Sequence, residues 1–281
     1  MGKFAATLAT YASLVRFSHT VFAMPFALMA YVYALRSTGT PFRWTVLALV
    51  LLCMVFARNA AMGFNRWADR RIDADNPRTA DRDIPAGRVS PRAAVWFVVA
   101  NAALFVLSAG LINRLALLLS PVALLVALGY SYTKRFTAWA HVVLGMALAI
   151  APVGAHIAAT GTVAVAPVLL ATLVLTWVAG FDILYARQDA DYDRSHGLHS
   201  IPARFSERGA HVISVLLHAL TLYCVVVFGM FTSRGAFYWA GAAVFVALLA
   251  LQHTARRLPF DWVNGAASVA FASLAVADML V

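Results

Sequence analysis

Charge is scarce in this 281-residue chain: Lys, Arg, Asp and Glu together make up 12% of it, about half the share carried by an ordinary soluble domain. No polar stretch is long enough to fold as an independent soluble unit, so residues 1–281 read as a single domain. Cysteine is nearly missing. Cys53 and Cys224 both lie in apolar runs without CxxC or Cys/His spacing, which argues against a disulfide framework or a zinc site and leaves the redox compartment unread. A cleavable leader is not expected either. The first apolar run follows Arg16, is long for a signal-peptide core and shows no convincing small-residue cleavage site, so it is kept as a helix of the mature protein.

What the chain has in abundance is hydrophobic sequence, 62% of the total. Runs of roughly twenty apolar residues recur, each enough to cross about 30 Å of hydrocarbon as a helix. Nine spans are expected, near 17–35, 44–64, 93–112, 115–133, 138–159, 163–184, 210–231, 236–253 and 262–281. The fold class is therefore an all-α membrane protein of about nine transmembrane helices. Ser90 and Pro91 mark the start of the third span, as a cap followed by proline in the first turn. Nine spans put the loops after spans 2, 4, 6 and 8 on one side. Of the 22 Lys and Arg, 18 fall on that side, leaving Arg36, Arg43, Arg114 and Arg234 opposite. The positive-inside rule makes the basic side cytoplasmic, which places the chain in the bacterial inner membrane with its working face toward the cytoplasm. Topology and an anionic ligand account for the formal charge of +10; no nucleic acid partner is needed.

The acids are more concentrated still. Nine of the twelve are Asp69, Asp73, Asp75, Asp81, Asp83, Asp182, Asp189, Asp191 and Asp193. At the end of the second span, Asn65, Asp69 and Asp73 follow one another at steps of four and so share a helix face. Arg58, seven residues earlier, lies on that face; an arginine so far inside an apolar run needs a polar cavity or a partner. At the end of the sixth span Asp189 and Asp193 share a face, Asp182 lies on it deeper, and Asp191 points roughly opposite if the helix continues. The two clusters are offset by 120 residues and follow spans on the same side of the membrane, which suggests an internal duplication. Converging carboxylates repel one another and raise their own pKa values. A hard divalent cation removes that conflict, and Mg²⁺ prefers oxygen ligands, typically one or two carboxylates together with substrate phosphates. Two half-sites with Mg²⁺ and a diphosphate between them would balance the charge, with Arg66, Arg70, Arg78, Arg82, Lys134, Arg135 and Arg204 available to phosphate oxygens.

These residues resemble the UbiA superfamily of intramembrane prenyltransferases, which carries NxxxDxxxD after its second helix and DxxxD after its sixth. The matches are Asn65, Asp69 and Asp73, then Asp189 and Asp193. The stretch from Arg78 to Gly87 resembles the family's RTxxRPLPSG segment, and Tyr132 to Thr137 its basic loop after helix four. The sequence departs from the pattern at Arg66, where Asp is common, and at Gly197-Leu198-His199-Ser200, where many members have Gly-x-Lys-Ser. The runs Arg58 to Asn65 and His196 to Pro202 look like a 4-hydroxybenzoate polyprenyltransferase-like subgroup that includes futalosine-route menaquinone enzymes. The resemblance implies helices bundled around a central cavity open to membrane lipid. It also implies Mg²⁺-dependent transfer of a polyprenyl group from polyprenyl diphosphate to an aromatic acid, 4-hydroxybenzoate in ubiquinone biosynthesis or a dihydroxynaphthoate in menaquinone biosynthesis. The diphosphate would leave with metal assistance, and the ring would attack the allylic cation.

On this reading Asn65, Asp69, Asp73, Asp189 and Asp193 hold metal, and Arg58 contacts diphosphate or acceptor. Arg78, Arg82, Lys134 and Arg135 bind substrate. Asp191 is either an outer supporting residue or the base that takes the ring proton, and Arg16 could pair with an acceptor carboxylate. His19, His141 and His199 read as hydrogen-bonded structural residues before proton carriers. Trp44, Trp96 and Trp262 fit interface anchors, and Phe22, Met24 and Phe26 fit packing between helices. Three rival classes remain: a cation-coupled transporter, which would put carboxylates at the bilayer midplane; a phosphoalcohol transferase, whose motif needs an Asp-Gly step that neither cluster has; and a noncatalytic scaffold, which explains the hydrophobicity but not the acidic registers.

Overall fold

The computed structural model of the chain describes Leu14 and residues 23–254 and 260–281. Arg16, His19, Phe22 and most of the first half of the first expected span lie outside the described residues. Among the described residues all regular structure is helical: α1 (Met24–Thr38), α2 (Trp44–Ala68), α3 (Arg70–Asp75), α4 (Pro91–Ile112), α5 (Arg114–Thr133), α6 (Ala140–Thr160), α7 (Val165–Ala186), α8 (Ala190–Ser195), α9 (Ile201–Arg204), α10 (Glu207–Phe231), α11 (Ala236–Thr254) and α12 (Phe260–Leu280). Eight of these are long and apolar enough to cross a membrane. α1 covers the second part of the first expected span and runs three residues past its expected end, to Thr38.

An apolar run in lipid must satisfy its own backbone, so it becomes a helix and stops where polar caps take over. Ser90 Oγ accepts from the Ala93 N–H at 3.2 Å and Pro91 opens α4. Asn113 caps α5 through Ala116 N–H at 2.8 Å while its amide donates to Ile157 O of α6 at 2.8 Å, tying two helix ends together. The outward faces stay greasy. Leu107, Leu111, Leu118 and Leu125 are exposed on α4 and α5, and Trp44, Trp96 and Trp262 are exposed near helix ends, surfaces that suit hydrocarbon and its interface rather than water. The chain is a multi-pass membrane protein.

The tightest packing is around α7, which has the largest buried share of the spans. Trp177 on α7 is fully buried, 5.4 Å from the Phe26 ring of α1 and 5.7 Å from Phe245 of α11. Gly145 of α6 lies against the α7 backbone so closely that a Cβ there would sit 2.4 Å from Leu175 O. That contact fixes how α6 lies along α7, and with it what the start of α6 and the end of α7 can reach.

Two helix ends differ from the expectation of uninterrupted helices. α2 runs four residues past its expected end to Ala68 and breaks at Asp69 before α3 resumes. The backbone bonds Asp69 N to Asn65 O and Asp73 N to Asp69 O nevertheless survive, so the four-residue register of the motif persists through the break. After α7 the chain tightens into a single 3₁₀ turn, Arg187–Asp189, before α8. That tightening changes where the residues beyond it point.

Candidate active site

The acidic residues at the end of α2 are buried and each is held by a cation. Asp69, 1% exposed, accepts Lys134 Nζ at 2.7 Å on one oxygen and Arg135 Nη2 at 3.3 Å on the other; the Asn65 amide adds a third donor at 3.1 Å. Arg135 also reaches Ala68 O at 2.7 Å and lies over the Tyr132 ring. Asp73, 3% exposed, takes Arg82 Nη1 on Oδ1 at 2.7 Å, and its Oδ2 is buried with no hydrogen-bond partner. The loop carrying Arg82 is pinned beneath, with Thr79 Oγ1 donating to Asp73 O at 3.1 Å.

The second acidic segment meets the first through two bridges. Arg78, from the loop after α3, forks onto both carboxylate oxygens of Asp189, with Nε to Oδ1 at 2.7 Å. Tyr192 of α8 donates its hydroxyl to Ile72 O of α3 at 2.9 Å. Asp193 lies within electrostatic reach of both Lys134 and Asp189 and is hydrogen-bonded by Ser200. Burial pushes its carboxyl above the usual carboxylate range, against the opposing pull of Ser200 and Lys134. Gly197, at φ +65°, turns the chain back after α8, so that His199 N–H bonds Lys134 O at 2.7 Å and Ser200 comes to Asp193. A left-handed backbone of that kind costs a glycine nothing.

A second tier lies deeper. Arg58 and Asp182 each stand seven residues, about 10 Å of helix rise, before Asn65 and Asp189. Tyr130 of α5 lies among the charges of Arg58, Arg66, Asp69 and Asp182, which brings α2, α5 and α7 to one place. The Arg58 Nε is buried without a partner. Asp182 is hydrogen-bonded to His141 Nδ1 at 2.7 Å, yet its side chain stays 26% accessible on the most buried of the spans.

The structure thus brings together Asn65, Asp69, Asp73, Asp189, Asp193, Arg78, Arg82, Lys134 and Arg135, with Arg58 beneath them. It does not bring Asp191 in: that side chain is fully exposed and paired with Arg194 at 2.9 Å. Arg70 turns onto the Trp67 ring and carbonyl instead of the carboxylates, and Arg204 is exposed. Arg16 lies outside the described residues. The deeper link of Asp182 to His141 went unread from the sequence, because the two are 41 residues apart; the one available signal was an acid and a histidine each close to a helix end.

The donor set is all oxygen, which suits a hard cation such as Mg²⁺, and the orphaned Asp73 Oδ2 is a buried acceptor that such a cation would satisfy. Among the described residues no three His, Cys, Asp or Glu side chains converge closely enough to hold a metal alone. That agrees with an ion that completes its shell from a ligand's phosphates.

Comparison with known proteins matches this geometry to a family. Residues 23–274 match the UbiA prenyltransferase family. Among curated relatives, a 4-hydroxybenzoate octaprenyltransferase of Alkalilimnicola ehrlichii is 36% identical, over 74% of this chain and 70% of its own length. Another from Chromohalobacter salexigens is 33% identical over 78% and 73%. Of solved structures, an apo UbiA homologue from Aeropyrum pernix superposes with a TM-score of 0.83 at 36% identity, covering 93% of this chain and 98% of that one. A UbiA homologue from Archaeoglobus fulgidus bound to GPP and Mg²⁺ shares the fold at 20% identity, with a TM-score of 0.75 over 97% of this chain and all of that one. With most of its length matched, its helices superposed and both acidic motifs gathered at one end of the bundle, the chain belongs to the UbiA prenyltransferase family.

Proposed function

We propose that this protein transfers a polyprenyl group from polyprenyl diphosphate to an aromatic acid of the 4-hydroxybenzoate type, in ubiquinone biosynthesis, with Mg²⁺ and at the cytoplasmic face of the bacterial inner membrane. One observation carries the reading. Two acidic segments more than a hundred residues apart are clasped by Arg78 and Asp189 into one cluster, with the carboxylates and cations that a metal diphosphate requires. The names of the curated relatives and the GPP and Mg²⁺ bound by the Archaeoglobus homologue support it.

Four acids, Asp69, Asp73, Asp189 and Asp193, face four cations, Arg78, Arg82, Lys134 and Arg135, so the upper tier is close to neutral as it stands. Metal and diphosphate arriving together keep that balance; either alone would upset it. The cations can then exchange a carboxylate for a phosphate oxygen without leaving the site, and Arg78 and Arg82 keep a fork suited to both. Mg²⁺, held by Asn65 and the four carboxylates, would supply charge stabilisation to the departing diphosphate. The chain's own cations share that work: as the C1–O bond breaks, the electron pair leaves with diphosphate onto Arg78, Arg82 and Lys134. The lower tier receives the acceptor. Arg58, whose Nε is buried without a hydrogen-bond partner, fits the acceptor's carboxylate. Asp182, partly accessible and hydrogen-bonded to His141, fits its hydroxyl and then the ring proton released once the new carbon–carbon bond has formed.

Membranes containing the protein, given labelled polyprenyl diphosphate with 4-hydroxybenzoate or a dihydroxynaphthoate in parallel, are expected to form prenylated 4-hydroxybenzoate only with Mg²⁺. Asp69→Ala and Asp189→Ala should both abolish the product, which mass spectrometry reads directly. Undiminished product from either variant, or in excess chelator, refutes the reading; product from the naphthoate alone refutes the acceptor.

A further inference from the structure

Beneath the metal-binding carboxylates, His141 occupies a position that neither the motifs nor the proposed chemistry uses. It is the second residue of α6 and 4% exposed. Its Nδ1 is 2.7 Å from Asp182 Oδ2, and its Nε2 accepts the backbone N–H of Ile201 at 3.3 Å. Only one arrangement of protons satisfies both contacts. Ile201 can only donate, so Nε2 carries no proton, and Nδ1–H therefore donates to the carboxylate. With both ring nitrogens committed, the imidazole is a fixed strut and has no free position from which to shuttle a proton.

The strut joins the two tiers. Ser200 hydrogen-bonds Asp193 above and caps α9 through the Ala203 N–H at 3.2 Å. The next residue, Ile201, is fully buried and holds His141, which holds Asp182 below. A continuous path, Asp193, Ser200, Ile201, His141, Asp182, thus runs from the upper carboxylates to the lower one. Its geometry is set by packing as well as by hydrogen bonds. The Gly145 approach to Leu175 O locks α6 on α7 one turn from His141, so the ring cannot drift relative to Asp182.

We propose that His141 is a positioning residue for the aromatic acceptor: it fixes one oxygen of Asp182 so that the accessible remainder of the carboxylate keeps one direction, and it ties that orientation to the loop that carries Ser200. The inference rests on the reading of Asp182 as the acceptor contact. A carboxylate left free to rotate would lose the directed hydrogen bond to the acceptor while the diphosphate tier stayed intact. Loss of such a supporting contact typically costs about ten- to a hundredfold in the function it orients.

The test uses the full-length protein in detergent or nanodiscs, with steady-state kinetics for both substrates and direct binding of 4-hydroxybenzoate. His141→Asn keeps a donor near the Nδ1 position; His141→Gln keeps an acceptor for Ile201 and loses the donor to Asp182. The asparagine variant is expected to stay within about threefold of wild type in acceptor KM. The glutamine variant should raise acceptor KM and weaken 4-hydroxybenzoate binding by about tenfold or more, with the KM for polyprenyl diphosphate unchanged. Combining His141→Gln with Asp182→Asn should be no worse than Asp182→Asn alone, since both act through one contact. Equal effects of the two His141 variants on the acceptor, or an equal rise in both substrates' KM, overturns the role of His141. If Asp182→Asn itself leaves acceptor KM, acceptor binding and kcat unchanged, it is the assignment of Asp182 that fails. Thermal melting of each variant separates these outcomes from misfolding.

Discussion

Arg78 offers a sharp separation between holding the fold together and holding the substrate. It forks onto Asp189 across the two acidic segments, with Nη1 also 3.4 Å from the Tyr185 hydroxyl and the guanidinium 5.8 Å from that ring. A fully buried fork of this kind would contribute about 3 kcal/mol. Here the two side chains are 32% and 18% exposed, and screening by solvent brings the expectation down to about 1 kcal/mol. Arg78→Ala should therefore lower the melting temperature by only about 2–4 °C. Its effect on turnover should be far larger. Removing one preorganised donor from a developing negative charge costs about a hundred- to a thousandfold in kcat, or roughly 3–4 kcal/mol of barrier. Arg78→Lys keeps the charge but not the fork and should fall between. The assay is initial rate of prenylated product in nanodiscs, alongside a melting curve on the same preparation. Turnover of Arg78→Ala above a third of wild type, or a loss of turnover matched by loss of folded protein, refutes the exchange of Asp189 for phosphate.

Arg58→Gln removes the cation assigned to the acceptor carboxylate. It should raise acceptor KM by about tenfold or more while leaving the KM for polyprenyl diphosphate within a factor of two; an acceptor lacking the carboxylate should be turned over equally by both proteins. Gly145→Ala places a methyl 2.4 Å from Leu175 O. It is expected to cost about 1–3 kcal/mol of stability, read as a lower melting temperature. Asp278 of α12 accepts the N–H groups of Gly235 at 2.9 Å and Tyr238 at 3.2 Å, capping α11 at the end of the bundle away from the site. Asp278→Ala should cost about 1 kcal/mol and leave kcat unaltered in the folded fraction.

The helices and the first metal motif were legible because both follow local periodicity. Apolar runs of twenty residues can bury their backbone in lipid in only one way, and Asn65, Asp69 and Asp73 stay in step even through the break at Asp69. What was not legible depends on contacts between distant segments. The single 3₁₀ turn, Arg187–Asp189, is announced by no composition signal, although the exposure of Asp191 agrees with its place opposite Asp189 and Asp193. The pairing of Asp69, Asp73 and Asp189 with particular cations was hidden too. Lys134 and Arg135 are basic-loop residues by composition, and only the tertiary fold shows Asp69 as their partner. His141 and Asp182 meet because Gly145 lets α6 lie against α7, a relation that a single glycine in an apolar run does not disclose.

Whether the two acidic segments form one site for metal and diphosphate is tested most directly by calorimetric titration of pyrophosphate into the purified protein, with and without Mg²⁺. Pyrophosphate is expected to bind at least about tenfold more tightly in Mg²⁺, and that gain should vanish alike in Asp69→Asn and in Asp189→Asn, one variant from each segment. A gain that survives in either variant would mean that the segments act separately, and would contradict the account.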